Sequence, residues 1–148
     1  MALPTDTESI THGIQLAIAP VFLLTAVSGM TGVVATRLAR IIDRARRVED
    51  IAREARDDET VKRAYAELAE LRFRGRLSNA AIALLTTCAI LIGLTIILIF
   101  LGEAVEFRTN VSAVVSFLIG VVSFLLALLC FLWETIVATR LLNFHMLR

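Results

Sequence analysis

Three apolar stretches, residues 10–36, 77–101 and 111–133, dominate this chain. Each is as long as the roughly 20 residues that a helix needs to cross a bilayer at about 1.5 Å of rise per residue. Inside hydrocarbon no water is present to bond a free amide or carbonyl. Each stretch is therefore confined to a helix, whose backbone bonds close within the segment. With 57% hydrophobic residues and a mean hydropathy of +0.78, the 148-residue chain lacks the polar surface to enclose these stretches in a soluble core. The expected class is an all-α membrane protein with three transmembrane helices.

Charge is placed as unevenly as hydrophobicity. The net charge is only +1, yet 12 of the 15 Lys and Arg residues fall between Arg37 and Arg76, with nine of the 14 acids from Asp43 to Glu70. Basic residues beside a span stay on the cytoplasmic side, so this block orients the chain with its N-terminus outside and its C-terminus inside. The 102–110 connection, with Glu103 and Glu106 against Arg108, and a tail carrying Arg140 and Arg148 agree. Residues 1–9 hold no basic residue and lead into a long apolar run, so no cleaved signal is expected. The resulting division is an outer tail and first span in 1–36, a charged cytoplasmic helical hairpin in 37–76, a second span in 77–101, a short extracytoplasmic loop in 102–110, and a third span with its tail in 111–148.

Capping chemistry marks the helix ends. Thr5 and Glu8 form a capping box that starts the first helix near Asp6, Asn110 precedes the third span, and Asp57, Asp58, Glu59 and Thr60 suit a new helix start. No Gly or Pro interrupts 33–57, so the first span is expected to continue out of the membrane. Beyond the lipid, Leu38, Ile41, Ala45, Val48, Ala52 and Ala55 recur at spacings of three and four. Val61, Ala64, Leu68 and Leu71 do so on the returning arm. The first two helices thus extend into an antiparallel coiled-coil hairpin. Opposite charges four apart, Asp43 with Arg47, Arg46 with Asp50, Glu49 with Arg53, Glu59 with Arg63 and Glu70 with Arg74, suit its solvated faces.

Three features bear on function. The first span carries a small and polar stripe, Thr11, Gln15, Ile18, Phe22, Thr25, Gly29, Gly32 and Thr36, with Ser28 beside it. Such a face packs against protein or lines water. Pro20 interrupts the same helix, frees the Leu16 carbonyl and favours a kink. In the third span Ser112, Ser116, Gly120, Ser123, Ala127 and Cys130 form a small-residue face that ends in Glu134. Trp133 anchors that end at the interface, at the depth of Arg37 and Arg40, so an ion pair between Glu134 and either arginine is expected, with an ion or proton path as the functional alternative. Arg37, Arg40 and Arg44 are placed to meet anionic lipid headgroups. Asp6 and Glu8 would stand at an outer mouth.

Other chemistry is thin. His12 and His145 are far apart, Cys88 and Cys130 have no CxxC or His neighbour, and no catalytic or phosphate-loop motif occurs. No enzyme, cofactor or metal site is expected. Interleaved acids cancel the field of the arginines and no aromatic platform accompanies them, so nucleic acid is not an expected partner.

The segment IQLAIAPVFLLT at 14–25, the pair Ser28 and Gly29, RLARIIDRARRVED at 37–50, and Arg72, Arg74 and Arg76 leading into Leu77, Ser78, Asn79, Ala80 and Ala81 resemble a bacterial membrane family catalogued as domain of unknown function 2721. The resemblance covers most of the chain. It implies a small multi-spanning membrane protein and brings no activity with it. The residues themselves offer two small-residue stripes and an alanine-rich seam, more packing surface than one subunit uses, so a symmetric homo-oligomer is expected. The functional reading is an ion-conducting channel lined by the first helix. The alternative is a membrane scaffold whose hairpin docks a cytoplasmic protein or lipid, with a transporter third because three spans give no inverted repeat.

Overall fold

The computed structural model describes the backbone of residues 7–105 and 110–145, and side chains for residues 14–15, 17–102 and 111–139. Three helices make up the described chain: α1 (Thr7–Glu54), α2 (Asp58–Val105) and α3 (Asn110–His145). All three are long and apolar enough to span a membrane. The large apolar side chains left exposed, among them Ile90, Leu94, Ile97, Leu118, Leu125 and Leu129, would be untenable against water and suit lipid. The protein is a multi-pass helical membrane protein. The side chains of Thr5, Asp6, Glu8, Thr11 and Asn110, on which the expected first cap, outer mouth and third-helix start depend, lie outside the described residues.

Unbroken α1 follows from the absence of Gly and Pro between 33 and 57. Pro20 sits inside the helix and is buried. The three helices contribute to two compact units, one formed by Met1–Met30 with Leu84–Leu125, the other by Thr31–Ala83 with Leu126–Arg148.

In the first unit, α3 approaches α2 through small residues. A Cβ on Gly120 would lie 3.2 Å from Ile92 Cδ1 and 3.5 Å from Leu91 Cβ. Ser116 Oγ donates to the Leu91 carbonyl at 3.0 Å, and Thr95 Oγ1 donates to the same carbonyl at 2.8 Å. Small side chains with hydroxyls that bond backbone are how helices pack closely without a hydrophobic drive from water. Ala113, Ser116, Gly120 and Ser123 face inward here. Ser112, expected in this row, is exposed, and Ala113 takes the buried position.

In the second unit, Ile41 and Val48 of α1 pack with Ala64, Leu68 and Leu71 of α2, with Ala45 and Ala52 against them. Val34, Ile41 and Val48 are spaced by seven, as are Ala64, Leu71 and Ser78. That period keeps one seam of each helix on its neighbour. Each buried Ile, Val or Leu contributes about 1.5–3 kcal/mol, against about 0.2–0.5 for a surface pair four residues apart. The seam, not the surface charge, holds the hairpin. Of the expected pairs four apart, Glu59 with Arg63 is the one formed among the described residues, while Arg44 instead reaches across to Glu67 at 2.7 Å. Glu70 with Arg74 is corrected: Arg74 turns inward, as described below.

The two arms are joined by residues 55–57 alone. Asp57 makes so short a turn possible by capping α2. Its carboxylate accepts the amides of Glu59 and Thr60 at 3.1 Å each and the Thr60 hydroxyl at 2.8 Å. The Thr60 hydroxyl bond and then the two amides hold the Asp57 carboxyl below its ordinary range. A depressed folded value means that the cap's contribution is present above the normal carboxylate range and is lost as pH falls through the folded value. Hydrogen exchange at the amides of Glu59 and Thr60 should therefore accelerate on acidification beyond the intrinsic trend. Asp57→Asn should keep the cap and remove that acid sensitivity, whereas Asp57→Ala should lose protection at every pH.

Candidate functional site

α3 carries an inward row in the second unit, Ala127 and then Glu134 seven residues on. Glu134 is completely buried, an unfavourable place for a carboxylate unless cations meet it. Both other helices supply one. From α2, Arg74 donates through Nε at 3.0 Å and Nη2 at 2.9 Å, both to Glu134 Oε1. From α1, Arg37 brings Nη2 within 2.9 Å of Oε2. The approach of Arg37 lacks hydrogen-bond alignment, so Oε2 is held by charge alone.

Arg37 is fixed in two further ways. Its Nη1 donates to Thr135 Oγ1 at 2.8 Å, and Thr135 Oγ1 donates in turn to the Phe131 carbonyl at 3.0 Å. Its guanidinium carbon lies 4.9 Å from the centre of the Phe131 ring, within cation–π range. Glu134 thus gathers one residue from each other helix into a triad carrying one surplus positive charge.

Beside the triad is a cavity of about 260 Å³ lined by Arg37, Arg40, Ile41, Arg44, Leu71 and Arg74. The expected pairing of Glu134 with an arginine of α1 is made by Arg37, and Arg40 lies instead on this cavity wall. Arg74 is the partner that sequence reasoning missed. Its signal was present: Arg74 lies three residues beyond seam position Leu71 and four before buried Ser78, the inward step of the same register. Reading it as the partner of Glu70 placed it on the wrong face.

The α1 stripe is on the outside of the chain. Gln15, Thr25, Ser28, Gly29, Gly32 and Thr36 are exposed, and Phe22 is 73% exposed. Ala17, Pro20, Val27 and Val34 take the inward positions. Nothing lies within 4 Å of a Cβ built on Gly29 or Gly32. Thr25 and Thr36 satisfy their hydroxyl protons on the carbonyls of Val21 at 3.2 Å and Gly32 at 2.9 Å. Among the described residues no group of three or more His, Cys, Asp or Glu side chains is placed to hold a metal.

A family model described as a protein of unknown function (DUF2721) matches residues 17–144, which include α1 from Ala17, the triad and nearly all of α3. The chain belongs to this family. No curated protein and no solved structure matches it. The matched span contains Arg37, Arg74 and Glu134.

Removing Glu134 leaves two guanidinium groups facing each other where water is scarce. Glu134→Ala should destabilise the protein by about 3–5 kcal/mol. Replacing all three members with apolar residues, Arg37→Met, Arg74→Leu and Glu134→Leu together, should restore most of that loss, because the desolvation cost disappears with the charges. Chemical denaturation in mild detergent, followed by circular dichroism, measures both.

Proposed function

We propose that the protein works as a homo-oligomer whose subunits meet along the exposed face of α1, and that this face lines an ion-conducting path. The observation carrying this reading is that Gln15, Thr25, Ser28 and Thr36 lie on the outside of a chain whose α2 and α3 present Ile90, Leu94, Ile97, Leu118 and Leu125 to lipid. A polar face unused within the subunit is placed to meet copies of itself or water. Gly29 and Gly32 leave room for a neighbouring helix backbone.

The threonines add a chemical argument. Because Thr25 and Thr36 donate their protons back along the helix, their oxygen lone pairs remain available as outward acceptors. An oxygen that accepts without demanding a donor suits a cation. Asp6 and Glu8 near the N-terminus would reinforce that preference, while at Arg37 the carboxylate of Glu134 is shared with Arg74 and offsets one of the two positive charges. By the distribution of basic residues, the hairpin is cytoplasmic and the N-terminus lies outside a plasma membrane.

The second reading, a non-enzymatic scaffold, is favoured by apolar side chains standing exposed on the hairpin: Tyr65 at 65%, Ile51 at 51% and Phe73 at 47%. The two readings separate in reconstituted liposomes. Ion flux should be present in wild type and abolished in Gln15→Leu and Thr25→Phe, with Tyr65→Ser unaffected and all variants assembled alike. Absence of flux from an intact oligomer would remove the channel and leave the hairpin surface as the working part.

A further inference from the structure

The guanidinium groups around the cavity outnumber the carboxylates that they meet. Arg37, Arg40, Arg44 and Arg74 line it, and they share Glu134 and Glu67 between them, which leaves two positive charges in excess. The pair with Glu67 is half exposed on both sides and holds Arg44 weakly. Arg40 makes no ion pair among the described residues and is exposed. Ile41 and Leu71 floor the cavity with apolar surface. A concave site in which guanidinium groups outnumber carboxylates by two, with Arg40 unpaired and Arg44 loosely paired, is complementary to a phosphate-bearing anion, whose oxygens accept N–H bonds.

Its depth narrows the source. Arg37 is the first charge after the apolar run of α1, Arg76 the last before that of α2, and exposed Trp133 directly precedes Glu134. All three mark the level where hydrocarbon gives way to headgroups. We infer that this pocket binds a phosphate group, with Arg40 and Arg44 as the residues that capture it and the Glu134-held Arg37 and Arg74 as its rigid wall. The site is independent of whether α1 lines a pore. A phospholipid headgroup and a soluble phosphate share this chemistry, and the same experiment separates them.

The test uses the full-length protein in detergent, with native mass spectrometry counting retained phosphatidylglycerol against phosphatidylcholine and calorimetry measuring inorganic phosphate. Wild type should retain phosphatidylglycerol preferentially. Arg40→Gln with Arg44→Gln should lower that retention about tenfold or more, since each basic residue near an anionic surface contributes several-fold. Both positions are away from the buried carboxylate, so the fold should be kept. Arg46→Gln with Arg47→Gln removes as much exposed charge outside the pocket and should leave retention unchanged. Inorganic phosphate that binds, or displaces the lipid, in a manner abolished by the Arg40 and Arg44 variants assigns the site to soluble phosphate as well. Lipid retention that is unchanged in the Arg40 and Arg44 variants, without phosphate binding, overturns the inference, as does an equal effect of the Arg46 and Arg47 pair.

Discussion

Glu134 is withdrawn completely from solvent, and the charge that it carries there is tolerable only because Arg37 and Arg74 come to it from the other two helices. With both guanidinium groups away the carboxylate would be stranded at a cost of several kcal/mol, more than any single apolar contact along the seam contributes. The triad therefore fixes how α1 and α2 are rotated about their own axes beside it. With Arg37 turned inward, the seven-residue period places Val34, Ile41 and Val48 inside as well, and Gly32 and Thr36 outside. The outward position of Gly32 and Thr36 goes with the inward turn that Arg37 makes toward one carboxylate.

The same interaction shapes the surface next to it. Two arginines committed to one carboxylate leave surplus positive charge at the edge of the apolar region, and Arg40 and Arg44 add to it from the next turns of α1. Held by Thr135 and by the Phe131 ring, Arg37 has little rotamer freedom left to lose when an anion arrives. A structural ion cluster and a receptive cavity thus share side chains. Elsewhere the spanning parts of α2 and α3 turn many large apolar side chains outward, Ile90, Leu94, Ile97, Leu118, Leu125 and Leu129 among them.

The three spans and the hairpin were legible because a bilayer leaves a long apolar run only one economical backbone solution, and because Ile41, Val48, Ala64, Leu68 and Leu71 keep strict spacing. The turn at Asp57 was legible through its capping residues. Side-chain direction near the membrane boundary was harder to read. Arg74 has an acid four residues before it and charged neighbours two away on either side, so local pairing competes with a partner 60 residues distant on α3. Only continuation of the Leu71 register favours the long-range answer. The pocket was illegible for a related reason: Arg40 and Arg44 read as headgroup contacts on one helix, whereas the cavity needs Leu71 and Arg74 from another.

The proposal that copies of the protein meet along α1 rests on a face exposed at Gly32 and Thr36 beside the triad. Oxidative cross-linking in membranes tests it directly, with Cys88 and Cys130 first replaced by alanine and single cysteines then introduced by Gly32→Cys or Val34→Cys. Those positions are two residues apart, one exposed with open space around it and one fully buried. A covalent dimer is expected from Gly32→Cys and none from Val34→Cys. Dimer formation at Val34 with none at Gly32 would mean that α1 is rotated the other way and that its polar face belongs to the inside.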